Sequence, residues 1–184
     1  MNGDYRIFVG AFPTGELAER IQALRQQHDP KTAFITPPHV TLWGTMWRSG
    51  PPIPENEAAT IATMESMGSQ IQSFDLILGG IESFLPRQNV IYLNVQPNQG
   101  LLAARQQLLA SLGQDKHRHF TAHLTLTMRL SQDKSQRLFE TLRQSEWHSQ
   151  QWPIRIEQLQ LMQRGEHDPA WRVIHRLPLQ TNHL

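Results

Sequence analysis

The chain has 184 residues, 17 Lys and Arg against 16 Asp and Glu for a formal charge of +1, and no cysteine. That length suits one domain, and the near-neutral charge provides no bulk field for long nucleic acid, so any anion recognition must be local. Without cysteine there are no disulfides, thiolate-held zinc or thiol nucleophiles, and with no signal-peptide layout at Met1 to Arg6 and no apolar run near the ~20 residues of a membrane span, a cytoplasmic protein is expected.

Taken in order, Tyr5 to Phe12 is rich in aromatic and β-branched residues and stops at Pro13, which marks a first, central strand. Thr14 to His28 reads as a helix with Leu17, Ile21 and Leu24 on its apolar face, ended by Asp29-Pro30. Pro37-Pro38 keeps a helix from running into His39, so the next segment enters as a strand. Strict alternation then places His39, Thr41, Trp43 and Trp47 on one face and Val40, Leu42 and Gly44 on the other. The two tryptophans would form a stacking wall for a base, or pack beneath a loop.

A turn-rich stretch from Ser49 to Pro54 leads to a helix over 55–67 and to strands over 74–78 and 89–95, with Gly79-Gly80 marking a break. A helix from Asn98 to Leu112 is closed by Gly113. In the strand that follows, alternation puts His119, Thr121, His123, Thr125 and Thr127 on one face, and Phe120, Ala122, Leu124, Leu126 and Met128 on the other. A helix begins at Ser131, and the segments around Trp152 to Ile156, Leu161-Met162 and Trp171 to Leu179 fit a closing hairpin with Gly165 to Pro169 in its turn. Strands and helices alternate without βαβ regularity, so an α+β domain with two sheets is expected.

Within this pattern His39-Val40-Thr41-Leu42 recurs as His123-Leu124-Thr125-Leu126, 84 positions later. Each copy sets an imidazole and a hydroxyl on one face with aliphatic residues behind. A lone His-x-Thr is expected about once by chance in such a chain, and the alternative to a shared site is two unrelated strand histidines. A metal reading would use His117, His119 and His123, with Asp115 the one carboxylate close by in sequence.

The paired motifs resemble the 2H phosphoesterase superfamily, whose hallmark is two His-x-Thr/Ser-aliphatic motifs, one per lobe, and which includes bacterial 2′-5′ RNA ligase-like proteins and plant-type cyclic nucleotide phosphodiesterases. Arg6 to Val9 is similar to the family's opening strand, Asn89 to Val95 to the strand between the motifs, Phe120 to His123 to the approach to the second motif, and Trp171 to Leu179 to the closing strand. Ala122 replaces a common Pro, Trp43-Gly44 replaces Phe-Leu-Gly, and Arg129 is displaced by one residue from an arginine that often follows the second motif.

The resemblance implies one two-lobed α+β domain over residues 1–184, each lobe an antiparallel-rich sheet with helices on its outer side and a central cleft between lobes. It implies His39 and His123 as general acid and base, Thr41 and Thr125 as donors to the non-bridging oxygens, and no metal or cofactor. Trp43, Arg129 and His119 are the candidates for holding substrate, and a monomer is expected. The implied activity is the opening of 2′,3′-cyclic phosphates of RNA ends or small nucleotides. The alternatives are 2′-5′ ligation of RNA ends and non-catalytic binding of an RNA end or nucleotide.

Overall fold

Apolar alternation and capping residues define the elements of the computed structural model, which describes residues 3–44, 47–68, 70–116 and 119–181. Strand β1 (Asp4–Ala11) leads into helix α1 (Gly15–His28), the short α2 (Pro30–Ile35) and strand β2 (Val40–Gly44). After β3 (Arg48–Ser49) and a 3-10 turn come α3 (Ala58–Gly68), β4 (Phe74–Ser83), β5 (Ile91–Val95), α4 (Gln99–Leu112) and β6 (His123–Thr127). Helices α5 (Gln132–Leu142) and α6 (Glu146–Ser149) precede β7 (Gln151–Ile156), β8 (Gln158–Gly165) and β9 (Arg172–Pro178). No helix among the described residues is long and apolar enough to cross a membrane.

The strands form one antiparallel sheet in the order β7-β4-β5-β6-β2-β1-β8-β9, with β3 beside β1. The two half-sheets expected from the sequence are therefore continuous, joined at the β2–β6 ladder. Gly79-Gly80 does not end β4. It forms a bulge, with Gly80 at φ 83, and the strand continues to Ser83. The closing hairpin is β8–β9, whereas β7 runs to the opposite edge beside β4.

The 84-residue offset extends well beyond the motifs. Helices α1 and α4 are both 14 residues long, and each starts two residues after a proline, Pro13 or Pro97. Asn98 caps α4 by accepting the Leu101 N–H at 2.9 Å, and Gly113 ends it at φ 87. Each helix packs against the motif strand of the other half, α1 on β6 and α4 on β2. The helix-side faces carry the core, including Val9, Ala11, Val40, Leu42, Leu93, Leu124 and Leu126, all at 0 % exposure. This leaves the opposite face of β2 and β6 open for chemistry.

Candidate active site

Two short strands supply the centre. Val40 pairs with Leu124 in the antiparallel β2–β6 ladder. Continuing that register by one residue each way sets His39 across from Thr125 and Thr41 across from His123. Val40 and Leu124 point into the core, so the four polar residues share the opposite face as two crossed His–Thr pairs, each half-buried.

Both imidazoles are held in the same way. His39 Nδ1–H donates to the Pro37 carbonyl at 2.9 Å, and His123 Nδ1–H donates to the Thr121 carbonyl at 2.7 Å. A carbonyl can only accept, so in each neutral ring the proton sits on Nδ1 and the lone pair on Nε2. Aromatic rings from β1 and β5 and from the residues just after β1 and β4 fix each imidazole plane. Phe8 and Phe12 stack on His39 at centroid distances of 4.7 and 5.4 Å, and Tyr92 and Phe84 lie against His123 at 5.1 and 5.2 Å. Phe8 and Tyr92 are again 84 residues apart. Gly10 permits the first arrangement, because a Cβ there would come within 3.0 Å of the Phe8 ring and 3.2 Å of Phe12.

A β-bulge at the last residue of each motif overturns the strict alternation expected beyond it. Val9 pairs with Trp43 and Gly10 with Thr41, so Leu42 is the extra residue. Ile91 pairs with Thr127 and Tyr92 with Thr125, so Leu126 is its counterpart. The bulges turn Trp43 and Thr127 into the core, each 1 % exposed. Trp43 Nε1–H donates to the Gly113 carbonyl at 3.0 Å and lines neither cavity at the site, so the base-stacking role expected of it does not fit this position. Met128, expected on the apolar face, is turned outward into the cleft. Trp47 is exposed and lies against the Arg6 guanidinium at 4.4 Å.

Two cavities, of about 310 and 450 Å³, meet at Thr41, Thr125 and Met128. The first holds His39 with Arg6, Arg25, Lys116, Arg129 and Arg164. The second holds His123 with Phe84, Arg87, Asp115, His119 and Phe120. Thus His39 and His123 approach one cleft from its two ends, Arg129 lies on the His39 side and His119 on the His123 side. His117, which the metal reading needs, lies outside the described residues.

Burial pushes the His39 pKa down to about 4, with the charges of Arg25 and His123 adding to the shift and the Pro37 carbonyl opposing it.

Three supports of this site have no motif in the sequence. Arg25 of α1, 1 % exposed, donates to the Thr36 and Thr32 carbonyls at 2.8 and 3.2 Å and so ties down the segment leading to His39. Arg105 of α4 bonds the carbonyl of the bulged Leu42 and pairs with Asp115 at 2.9 Å. Asp29 accepts from the Thr32 N–H and hydroxyl and from the Met128 and Arg129 N–H groups, which clamps the end of β6 to the other half. Burial alone would raise the Asp29 pKa, but these hydrogen bonds outweigh it and hold the carboxyl below its usual range. A search for helices recurring at the 84-residue offset would have located the two supporting helices, though not the contacts of their arginines.

Residues 13–168 match the sequence profile of the 2′-5′ RNA ligase superfamily. A Bacillus pumilus protein provisionally named a phosphoesterase is 31% identical over 137 residues, which are 73% of this chain and 77% of its own length. One from Bacillus cytotoxicus with the same provisional name is 27% identical over 170 residues, 91% of this chain and 93% of its own. In fold, the chain is similar to Escherichia coli LigT solved with 3′-AMP, with a TM-score of 0.62 at 19% identity over 96% of this chain and 98% of that one. A protein from Thermus thermophilus superimposes with a TM-score of 0.65 at 18% identity over 97% and 100% of the two chains.

Proposed function

Because this chain belongs to the 2′-5′ RNA ligase superfamily of 2H phosphoesterases, we propose that it is a metal-independent phosphodiesterase that opens 2′,3′-cyclic phosphates of RNA ends or small nucleotides. The observation that carries this reading is the crossed His39–Thr125 and Thr41–His123 arrangement in a cleft with cavities on both sides. Ring opening by water needs a base for the attacking oxygen and an acid for the ribose oxygen that leaves. We assign the base to His39, because burial keeps its ring neutral, with the Nε2 lone pair available, near pH 7.

In the reaction, the water oxygen bonds to phosphorus while its proton passes to His39 Nε2. The bond from phosphorus to one ribose oxygen breaks, and protonated His123 gives its Nε2 proton to that oxygen. The hydroxyls of Thr41 and Thr125 donate to the non-bridging oxygens, where charge grows in the pentavalent transition state. The cleft suits the ligand class carried by LigT, which has been solved with 3′-AMP.

The test is a panel of nucleoside 2′,3′-cyclic phosphates and short RNAs ending in a cyclic phosphate, with chelator present throughout and products resolved by chromatography. Turnover by the unaltered protein is expected, and His39→Ala and His123→Ala should each slow it by about 10²- to 10⁴-fold with unchanged circular dichroism. No product from any substrate, or full activity in either variant, overturns the reading.

A further inference from the structure

Beyond the catalytic quartet, the His39 cavity contains charges that folding by itself does not explain. Arg6 and Arg164 lie directly opposite each other in the β1–β8 ladder, and both line this cavity. Like charges placed across a ladder destabilise a sheet, so the pairing is unfavourable unless something negative lies between them. Lys116 lines the same cavity, and no carboxylate among the described residues does. Asp115, which also acts on Lys116 through its charge, is paired with Arg105 at 2.9 Å, and Asp168 accepts the Gly165 N–H at 2.7 Å.

The arginines are held in place. Arg6 lies between Trp47 and Trp171, at 4.4 and 5.6 Å from their ring centroids, and its buried Nε has no hydrogen-bond partner. Arg164 Nε donates to the Asp168 carbonyl at 3.0 Å. Burial and the opposing Arg164 charge lower the Arg6 pKa, and burial and Arg6 lower that of Lys116 against the opposing charge of Asp115, as expected where positive charge outweighs negative. Arg6 is two residues from Phe8 on the same face of β1, about 7 Å along the strand, and Phe8 stacks on His39. An arginine side chain spans much of that distance, so an anion held here sits about one phosphate spacing from the catalytic centre.

We infer that Arg6, Arg164 and Lys116 form a second phosphate subsite, and that the preferred substrate carries a further phosphate group beyond the one attacked. The inference rests on the phosphodiesterase reading for which phosphate is attacked, but the subsite itself can be read by binding alone. The second phosphate has two sources of the same chemistry, a terminal phosphate on a mononucleotide or the next phosphodiester of an RNA end.

Calorimetric titration of the full chain with adenosine 3′-monophosphate, adenosine 3′,5′-bisphosphate and the dinucleotide ApAp lacking a 5′-phosphate separates these. At least one of the two-phosphate ligands should bind about 10- to 100-fold tighter than the monophosphate, and which one does identifies the source. Arg6→Gln and Arg164→Gln, made separately and checked for folding by thermal unfolding, should each remove most of that preference, whereas His39→Ala should keep it. Equal affinity for all three ligands, or a preference that survives both arginine substitutions, overturns the subsite. A preference that depends on the arginines in a protein that hydrolyses no cyclic phosphate leaves the subsite standing and removes the phosphodiesterase reading.

Discussion

His39 and His123 share a backbone carbonyl two residues back, a threonine across the ladder and a bulge three residues on, yet their surroundings differ. His39 lies nearly flat against Phe8 and Phe12 in a cavity with four arginines and a lysine. The Phe84 ring stands edge-on to His123, at 85°, in a cavity that includes Asp115. Repetition of the backbone duplicates the geometry, while residues outside the repeat set the electrostatics. Two imidazoles that are equivalent by position thereby sit in different electrostatic surroundings.

The hydroxyls test whether the two halves are equivalent in the transition state. Thr41→Ala and Thr125→Ala should each lower kcat on a cyclic phosphate by about 10²- to 10³-fold, with the serine variants restoring most of it. A large loss at one position and none at the other would show that only one half contacts the developing charge.

Asp29 tests the clamp between the halves. It is 3 % exposed and accepts four hydrogen bonds, two of them from the end of β6. Asp29→Ala should cost about 2–4 kcal/mol in denaturant unfolding and raise KM as Met128 and Arg129 lose their anchor. A stability within 0.5 kcal/mol, a figure of the order of ordinary surface substitutions, would show that the packing of α1 on β6 suffices alone.

Acid pH separates the contributions of these two groups. His39 has a folded pKa of about 4 against an ordinary 6.5, so below pH 6.5 the unfolded chain takes up a proton that the folded protein refuses. Stability is therefore complete above pH 6.5 and falls towards pH 4, by at most about 3 kcal/mol. Asp29 has a depressed folded pKa, so its contribution holds above the unfolded carboxyl pKa and is lost at still lower pH. His39→Gln should flatten the first window and leave the second, as read by urea midpoints from pH 3 to 8. In the unaltered protein kcat/KM should hold down to about pH 5 before the acid limb begins. An acid limb centred near pH 6.5 would place the base elsewhere.

The smallest effect belongs to Trp43. Replacing it with Phe removes the bond to the Gly113 carbonyl and some core volume, and should cost about 1–2 kcal/mol in thermal unfolding with kcat/KM unchanged. A changed KM would return Trp43 to the substrate.

Much of the site was legible in the sequence because strand alternation is a local rule. His39, Thr41, His123 and Thr125 could be assigned to polar faces from two tetrapeptides and a proline pair. The same rule misplaced Trp43, Thr127 and Met128, since a bulge inserts one residue and reverses the faces beyond it. Nothing local marks Leu42 or Leu126 as bulged. The signal lies in the pairing with β1 and β5, and in Arg105 arriving from α4 to satisfy the Leu42 carbonyl.

The amino-acid order by itself determined the strand and helix types, the doubled motif and the family, because periodicity, caps and short motifs act over a few residues. Only the tertiary structure decided that Arg6 faces Arg164, that Asp29 of one half holds the end of β6 in the other, and that burial lowers the His39 pKa. Those outcomes depend on burial and on charges brought together from distant parts of the chain, and Coulomb and desolvation energies follow distance in space rather than separation in sequence.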